Sequence, residues 1–291
     1  MDSHLTTVGV ALIAAVLLAA NQVCGRIGLQ YGTAPQSWLV IFSTSALIII
    51  LLATVVAPRP FELTARATLL FGLDGILYAC AAALMLVSGV KVGPSTASAV
   101  KNASPVPAIL LAIPFLGEWP GAAEVAGTAL VVGGVLLLSG QAGGKGRAAI
   151  WRPAMIYPIT AMLLFAVDNV VRKAGIQQVA HPMIGGAVAG VAMTVFAVGA
   201  FLVTRSRIPN RRALKWFLLT GAFQGFAYYA IISALAGGTV ATVVPLYTSS
   251  PIFVVLGSRL FLGHLELLSR RVVLGVLTVF AGIVVISLFG G

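Results

Sequence analysis

Residues 97–118, ASAVKNASPVPAILLAIPFLGE, place a lysine and an asparagine inside an otherwise apolar stretch. A lysine at membrane depth costs roughly 2.5–3.5 kcal/mol on insertion scales, so it usually faces a helix bundle or a watery cavity. A buried ammonium needs an anionic partner. Lys101 is therefore predicted to contact either the carboxylate or phosphate of a substrate, or an aspartate in a structural ion pair.

Two aspartates, Asp74 and Asp168, are the only acidic residues well inside apolar stretches. Each could carry a proton, and Asp168 could instead serve as an anchor between helices. Asp74 lies nearer the end of its stretch, so it could also reach the membrane interface. The other candidates for binding a solute are Asn21, Tyr78, Asn102, Gln224, Tyr228, Tyr247 and Ser249.

Prolines follow Lys101 closely along the chain. Proline removes a backbone donor and clashes with the preceding turn, so the pattern predicts a helix that breaks just past the lysine. Residues 248–264, TSSPIFVVLGSRLFLGH, repeat the pattern of residues 102–118. Hinges are therefore predicted in both copies, and the positions are Pro105, Pro107, Pro245 and Pro251.

The composition indicates a polytopic membrane protein. Of 291 residues, 59% are hydrophobic and 9% are charged, whereas soluble domains carry about 25% charged residues. The net charge of +11 resides in short connections, which indicates membrane orientation and not nucleic-acid binding. Cys24 and Cys80 lie inside apolar stretches, so no disulfide, metal site or cofactor is expected. The predicted location is the bacterial inner membrane.

Clusters of glycine, proline and charge divide the chain into ten apolar spans, each of the roughly 20 residues that cross a bilayer. The predicted spans are 7–28, 36–56, 67–88, 95–115, 121–140, 154–175, 183–204, 213–235, 239–261 and 270–289. The longest connection, residues 141–153, is polar and glycine-rich. It separates a first unit, residues 1–140, from a second unit, residues 154–291.

The two units match helix by helix. In the fifth helix of each unit, Gly127 and Gly134 correspond to Gly275 and Gly282. Because each unit has an odd number of helices, the second enters the membrane in the opposite sense to the first. The predicted fold is an all-α integral membrane protein, with ten transmembrane helices as two inverted five-helix repeats around a central cavity.

These motifs resemble the EamA-like, ten-helix members of the drug/metabolite transporter superfamily. The resemblance covers nearly the whole chain. In the first copy it rests on GVKVGPSTASAVKNASPVPAILLAIPFLGE and VAGTALVVGGVLLLSG, and in the second on ALAGGTVATVVPLYTSSPIFVVLGSRLFLGH and VLGVLTVFAGIVVIS. One departure is His264, where the second copy of the family often has the glutamate found here at Glu118.

The resemblance implies a basket-like bundle whose cavity is lined mainly by the first, third, fourth, sixth, eighth and ninth helices. It implies a secondary active transporter, more often an exporter, in which the inverted repeats rock to give alternating access. Family substrates are small metabolites such as amino acids and their derivatives, and transport is often proton-coupled. The candidate residues named above fall on those same six helices. No phosphate-binding loop is present to indicate ATP-driven transport.

Two other functional classes are weighed against the transporter. A flippase for a lipid-linked head group belongs to the same superfamily, and Lys101 could bind its phosphate. An intramembrane enzyme is disfavoured, because the spans contain no HExxH motif, no GxSxG motif and no serine, histidine and aspartate set. The three histidines, His4, His181 and His264, stand outside the spans or at their ends.

The distribution of loop charge conflicts with the resemblance on orientation. Thirteen lysines and arginines follow odd-numbered helices, and four stand on the side of the termini: Arg59, Arg66, Arg172 and Lys173. The positive-inside rule then places both termini outside the cell. The resemblance implies that both termini are cytoplasmic.

Overall fold

The computed structural model describes residues 2–56, 63–139, 153–255 and 270–290. Helices account for nearly all of these residues, and the ten predicted helices are present. They are α1 (Asp2–Leu29), α2 (Ala34–Val56), α3 (Ala65–Val92), α4a (Pro94–Lys101) with α4b (Pro105–Leu116), α5 (Ala122–Ser139), α6 (Ile156–Ile176), α7 (Pro182–Val203), α8 (Arg211–Gly237), α9 (Val240–Thr248, continued by residues 250–255) and α10 (Arg270–Phe289). Most of the predicted connection 141–153, and His264, lie outside the described residues.

The outer faces of the helices are suited to lipid. Seven helices, counting α4a and α4b as one, are long and apolar enough to cross a membrane, and α5, α9 and α10 are shorter apolar helices. Large aliphatic side chains are exposed on the outside, among them Val90, Val195 and Leu202. Backbone polar groups are satisfied within each helix, as the hydrocarbon interior requires. The prediction of an all-α membrane protein is confirmed.

The fourth helix breaks where the prolines predict. Lys101 is the last residue of α4a, and Pro105 opens α4b, where its missing N–H is no loss. The intervening turn is closed by a hydrogen bond from the Ser104 N–H to the Lys101 carbonyl, at 2.9 Å. The ninth helix is interrupted in the same way at Ser249, two residues before Pro251. Lys101 therefore stands at a helix end inside the membrane.

The packing of the two units obeys a pseudo-two-fold relation. Helix α1 packs against α8, and α3 packs against α6. Because α1 corresponds to α6 and α3 to α8 in the two repeats, exchanging the repeats converts the contact between α1 and α8 into the contact between α6 and α3. Helix α2 also packs against α7, and α5 against α10, and these contacts map onto themselves. This is the arrangement expected of inverted repeats.

Helices α5 and α10 approach each other through glycines. A Cβ atom at Gly134 would lie 2.7 Å from the Val279 nitrogen and 2.8 Å from the Gly275 oxygen. A Cβ atom at Gly127 would lie 3.0 Å from the Gly282 oxygen. Small residues permit such close backbone contact in membranes. The four glycines matched between the repeats therefore form one helix interface.

The glycine interface gives a matched pair of substitutions. Gly134→Ala is expected to destabilise the folded protein by about 1–3 kcal/mol, because the helices must separate to admit the methyl group. Gly133→Ala is expected to have little effect, because a Cβ there meets nothing within 4 Å. Thermal denaturation in detergent would compare the two. Equal melting temperatures for both variants would contradict the close packing.

Candidate functional site

Helix α6 carries an arginine that bridges two aspartates inside the bundle. The Arg172 Nη2 atom donates to Asp168 Oδ2 at 2.7 Å, one turn earlier in the same helix, and to Asp74 Oδ1 of α3 at 2.8 Å. All three residues are at most 2% exposed. The Asp168 Oδ1 and Arg172 Nε atoms are buried without a hydrogen-bond partner among the described residues. We refer to Asp74, Asp168 and Arg172 as the buried triad.

Two tyrosines connect the buried triad to α8 and α9. The Tyr228 hydroxyl donates to Asp74 Oδ2, and the Tyr228 ring centroid lies 4.8 Å from the Arg172 guanidinium carbon. The Tyr247 hydroxyl donates to Asn169 Oδ1 at 2.5 Å, and the same oxygen accepts a weaker bond from Arg172 Nη1 at 3.4 Å. Four helices, α3, α6, α8 and α9, therefore meet through one polar network.

Arg172 and Lys173 are not loop charges, so counting them as such was wrong. Both lie within the last turns of α6, at 2% and 9% exposure. The loop charges on the side of the termini are therefore Arg59 and Arg66 alone. The difference in lysine and arginine count between the two sides of the membrane becomes larger, and the positive-inside rule uses this difference to assign orientation. The spacing of Asp168 and Arg172, four residues apart within a span, was the sequence signal for their pairing.

Asp74 is fully buried within the helix bundle. Helix α3 begins at Ala65 and is capped by the Thr64 hydroxyl, which accepts a bond from the Ala67 N–H. This lengthening places Asp74 in the third turn, where it is fully buried. Both of its oxygens are bonded, one by Arg172 and one by Tyr228.

Lys101 stands apart from the buried triad. Its ammonium lies 5.4 Å from the centroid of the Phe165 ring, in a cation–π contact, and it forms no ion pair with any described residue. The two aspartates proposed as its partners are bound by Arg172 instead. The half-buried Lys101 ammonium is therefore available for another anion.

A set of aromatic and amide groups extends from Lys101 across the bundle. Tyr78 packs edge-on against Phe165, with centroids 5.7 Å apart, and against Phe42, with centroids 6.2 Å apart. The Tyr78 hydroxyl accepts a bond from Gln224 Nε2 at 2.8 Å. We call Lys101, Tyr78, Phe165 and Gln224 the central cluster. It combines one cation, one amide and two apolar ring faces.

Three other candidates are engaged elsewhere. Asn21 donates to the Thr220 carbonyl at 3.0 Å and so holds α1 against α8. Asn102 donates to a serine hydroxyl of α4a at 3.4 Å, and Ser249 donates to a carbonyl of its own helix at 2.6 Å. These bonds stabilise helix contacts and helix breaks. They do not join the three residues to the central cluster.

One end of the bundle contains an ion pair between Lys173 and Glu118 that was not predicted from the sequence. Lys173 Nζ donates to the Leu235 carbonyl at 2.6 Å and to the Gly238 carbonyl at 2.8 Å. It also lies 3.7 Å from Glu118 Oε1. Glu118 Oε2 accepts a bond from the Val240 N–H at 2.7 Å, at the start of α9. Glu118 therefore ties the end of α4b to the start of α9 and to α6.

A second glutamate supports the same turn between α8 and α9. Glu124 Oε1 accepts bonds from the hydroxyls of Thr239, at 2.8 Å, and Thr242, at 2.5 Å. Its other oxygen accepts the Gly121 N–H at 2.8 Å. Carboxylates at the start of a helix are stabilised by the exposed N–H groups and the helix dipole. Glu118, Glu124 and Lys173 thus fasten α4b, α5, α6, α8 and α9 at one end, which we call the fastened end.

The chain was compared with protein families and with solved structures. The model of the EamA-like transporter family matches residues 5–140 and 152–288. A solved structure described as "Crystal structure of protein" is 17% identical, covers 97% of this chain and 98% of its own, and superposes with a TM-score of 0.81. No curated protein matches. Because the family model matches both repeats and nearly the whole chain, the chain belongs to the EamA-like transporter family of multi-pass membrane proteins.

Proposed function

We propose that this protein is a secondary active transporter that exports a small polar or amphipathic metabolite, amino-acid-like or related, across the bacterial inner membrane. The observation that carries the proposal is Lys101, an ammonium inside the membrane with no acidic partner among the described residues. Holding such a charge at this depth is costly unless it is used. A carboxylate of the substrate would supply the missing partner.

The central cluster supports an amphipathic substrate. Lys101 would bind the anionic group, Gln224 and the Tyr78 hydroxyl would bind a polar group, and the ring of Phe165 would cover an apolar part. Charge-assisted hydrogen bonds of this kind are stronger than neutral ones, so the anion would dominate affinity. Tyr228 and Tyr247 would act through the buried triad and Asn169, to which they are bonded.

Alternating access would follow from the inverted repeats. The helix breaks before Pro105 and before Pro251 would give each repeat a hinge, and Pro107 and Pro245 lie within the adjoining helices, α4b and α9. The units 1–140 and 154–291, joined by residues 141–153, would rock against each other. Release of the Glu118 to Lys173 ion pair would open the fastened end, while the other end closes.

The coupling ion in this proposal is a proton, carried by Asp168 or Asp74. A flippase for a lipid-linked head group is the second candidate. It is supported by a cleft of about 260 Å³ at the bundle surface, lined by apolar residues together with His181, Ser233 and Tyr229. A lipid head group could enter by such a cleft from the side.

The proposal is tested with purified protein in two stages. A thermal-shift screen of amino acids and related carboxylates would first find ligands, since a solute that binds the folded state raises its apparent stability. Vesicles containing the protein, and protein-free vesicles as control, would then be loaded with the labelled ligand. Protein-dependent exchange of the solute supports the transporter, and translocation of a lipid-linked head group without solute exchange supports the flippase.

A further inference from the structure

We infer that the buried triad is a binding site for one exchangeable proton, which is held on the Asp168 carboxyl. This inference rests on the proposed transport function and names the group that couples transport to protons. The proton enters from water on one side of the membrane and leaves to water on the other. Proton binding changes the charge of the triad from −1 to zero.

The hydrogen bonds distinguish the two carboxylates. Asp74 uses both oxygens, one toward Arg172 and the other toward Tyr228. Asp168 uses only Oδ2, and its Oδ1 is buried with no hydrogen-bond partner among the described residues. An ionised carboxylate with a bare buried oxygen is costly, whereas a protonated one is neutral. Asp168 is therefore the carboxyl that accepts the proton.

Asp74 Oδ1 lies 2.8 Å and Asp168 Oδ2 lies 2.7 Å from the same Arg172 atom, so the two carboxyl groups lie close together. One Arg172 nitrogen, Nη2, donates to both of them. Like charges at such close range cannot both persist in a low-dielectric site unless enough positive charge surrounds them. A proton on Asp168 removes the repulsion.

No other cation among the described residues neutralises the remaining charge. Lys173 is bound to two carbonyls and Glu118, and Lys101 contacts Phe165, one turn before Asp168. Helix α7 contributes no charged or titratable side chain between Pro182 and Val203. Among the described residues, the titratable and charged groups that interact with Asp168 are Asp74 and Tyr78 of α3, Arg172 of α6, Tyr228 of α8 and Tyr247 of α9.

The triad joins the two repeats. Asp74 belongs to the first repeat, and Asp168 and Arg172 belong to the second. The contact between α3 and α6 therefore includes an ionic bond whose charge balance depends on one proton. Gain or loss of that proton changes the attraction between the repeats, which is the property that a coupling site needs. The expected stoichiometry is one proton per cycle.

Infrared spectroscopy of the purified protein tests the site without any substrate. The wild type is expected to show a protonated-carboxyl stretching band at acid pH that disappears at alkaline pH. Asp168→Asn and Asp74→Asn should each abolish this titrating band. In either variant the remaining aspartate stays ionised, because its charge is balanced by that of Arg172. Glu124→Gln is the matched control. It alters a buried carboxylate outside the triad and should leave the band unchanged.

The position of the proton is tested by lengthening each side chain. Asp168→Glu is expected to move the frequency of the band, and Asp74→Glu is expected to leave it in place. The two glutamate variants keep the carboxyl group and its charge. They therefore still test the proton site if the asparagine variants fold poorly. A titrating band that persists in Asp168→Asn, moves only in Asp74→Glu, or is missing from the wild type would overturn the inference. A normal band in a protein that exchanges no solute would instead count against the proposed function alone.

Discussion

Arg172→Met is expected to destabilise the folded protein by about 3–5 kcal/mol, the cost of removing one partner from a buried ionic set. The substitution leaves Asp74 and Asp168 facing each other in the membrane without their shared cation. It also removes the guanidinium that lies over the Tyr228 ring. Melting temperature and monodisperse yield in detergent would measure the effect.

Arg66→Met is the control for the Arg172 variant, because Arg66 is exposed in the first turn of α3. It should melt close to the wild type. Adding Asp168→Asn to Arg172→Met should recover part of the lost stability, since one of the two uncompensated carboxylates is removed. Equal stability of the Arg172 and Arg66 variants would show that the buried triad does not hold the repeats together.

Lys101→Ala is expected to weaken substrate binding by about 10- to 100-fold. This is the affinity carried by one hydrogen bond to a charged group, at about 1.5–3 kcal/mol. Lys101→Arg should recover only part of it, because a planar guanidinium does not reproduce the position of an ammonium. Ligand-dependent thermal shift measures the apparent affinity in each variant, with the ligand found by the screen.

Lys91→Ala is the matched control for Lys101, because Lys91 is an exposed lysine near the end of α3. Its variant should bind the ligand as the wild type does. If Lys101 had a structural role only, Lys101→Ala would lower the folded yield while the protein that folds would bind normally. Unchanged affinity for the ligand in correctly folded Lys101→Ala protein would therefore contradict a role of Lys101 in substrate binding.

The helices could be predicted from sequence because their signals are local. Runs of about 20 apolar residues separated by glycine, proline and charge mark the spans, and Pro105 marks the break after Lys101. The duplication also appears in the chain itself, in the glycines that match between the fifth helices of the two units. These features depend on neighbouring residues, so they do not require knowledge of which helix packs against which.

The spacing of Asp168 and Arg172 indicates their pairing, but most other partners of the polar residues could not be predicted, because they depend on contacts far apart in the chain. Lys101 and the two aspartates all stand within spans, which suggested an ion pair among them. Arg172 takes both aspartates instead, since α3 packs against α6. Arg172 lies near the end of α6, so its burial was not evident from the sequence.

The fastened end shows the same limit of sequence reasoning. Glu124 lies in the first turn of α5, where acidic residues are common. Its hydroxyl partners, Thr239 and Thr242, lie more than a hundred residues away. Only the fold brings the start of α5 to the turn between α8 and α9.

Proton movement driven by a solute gradient tests the central claim most directly. Vesicles would contain the protein and a trapped pH-sensitive dye, and each ligand from the screen would be added outside. At least one carboxylate-bearing metabolite should change the internal pH with the wild type, while Lys101→Ala and Asp168→Asn should give no change at the same concentration. Solute exchange without any pH change, or an equal pH change in both variants, would contradict a proton-coupled transporter that binds its substrate at Lys101.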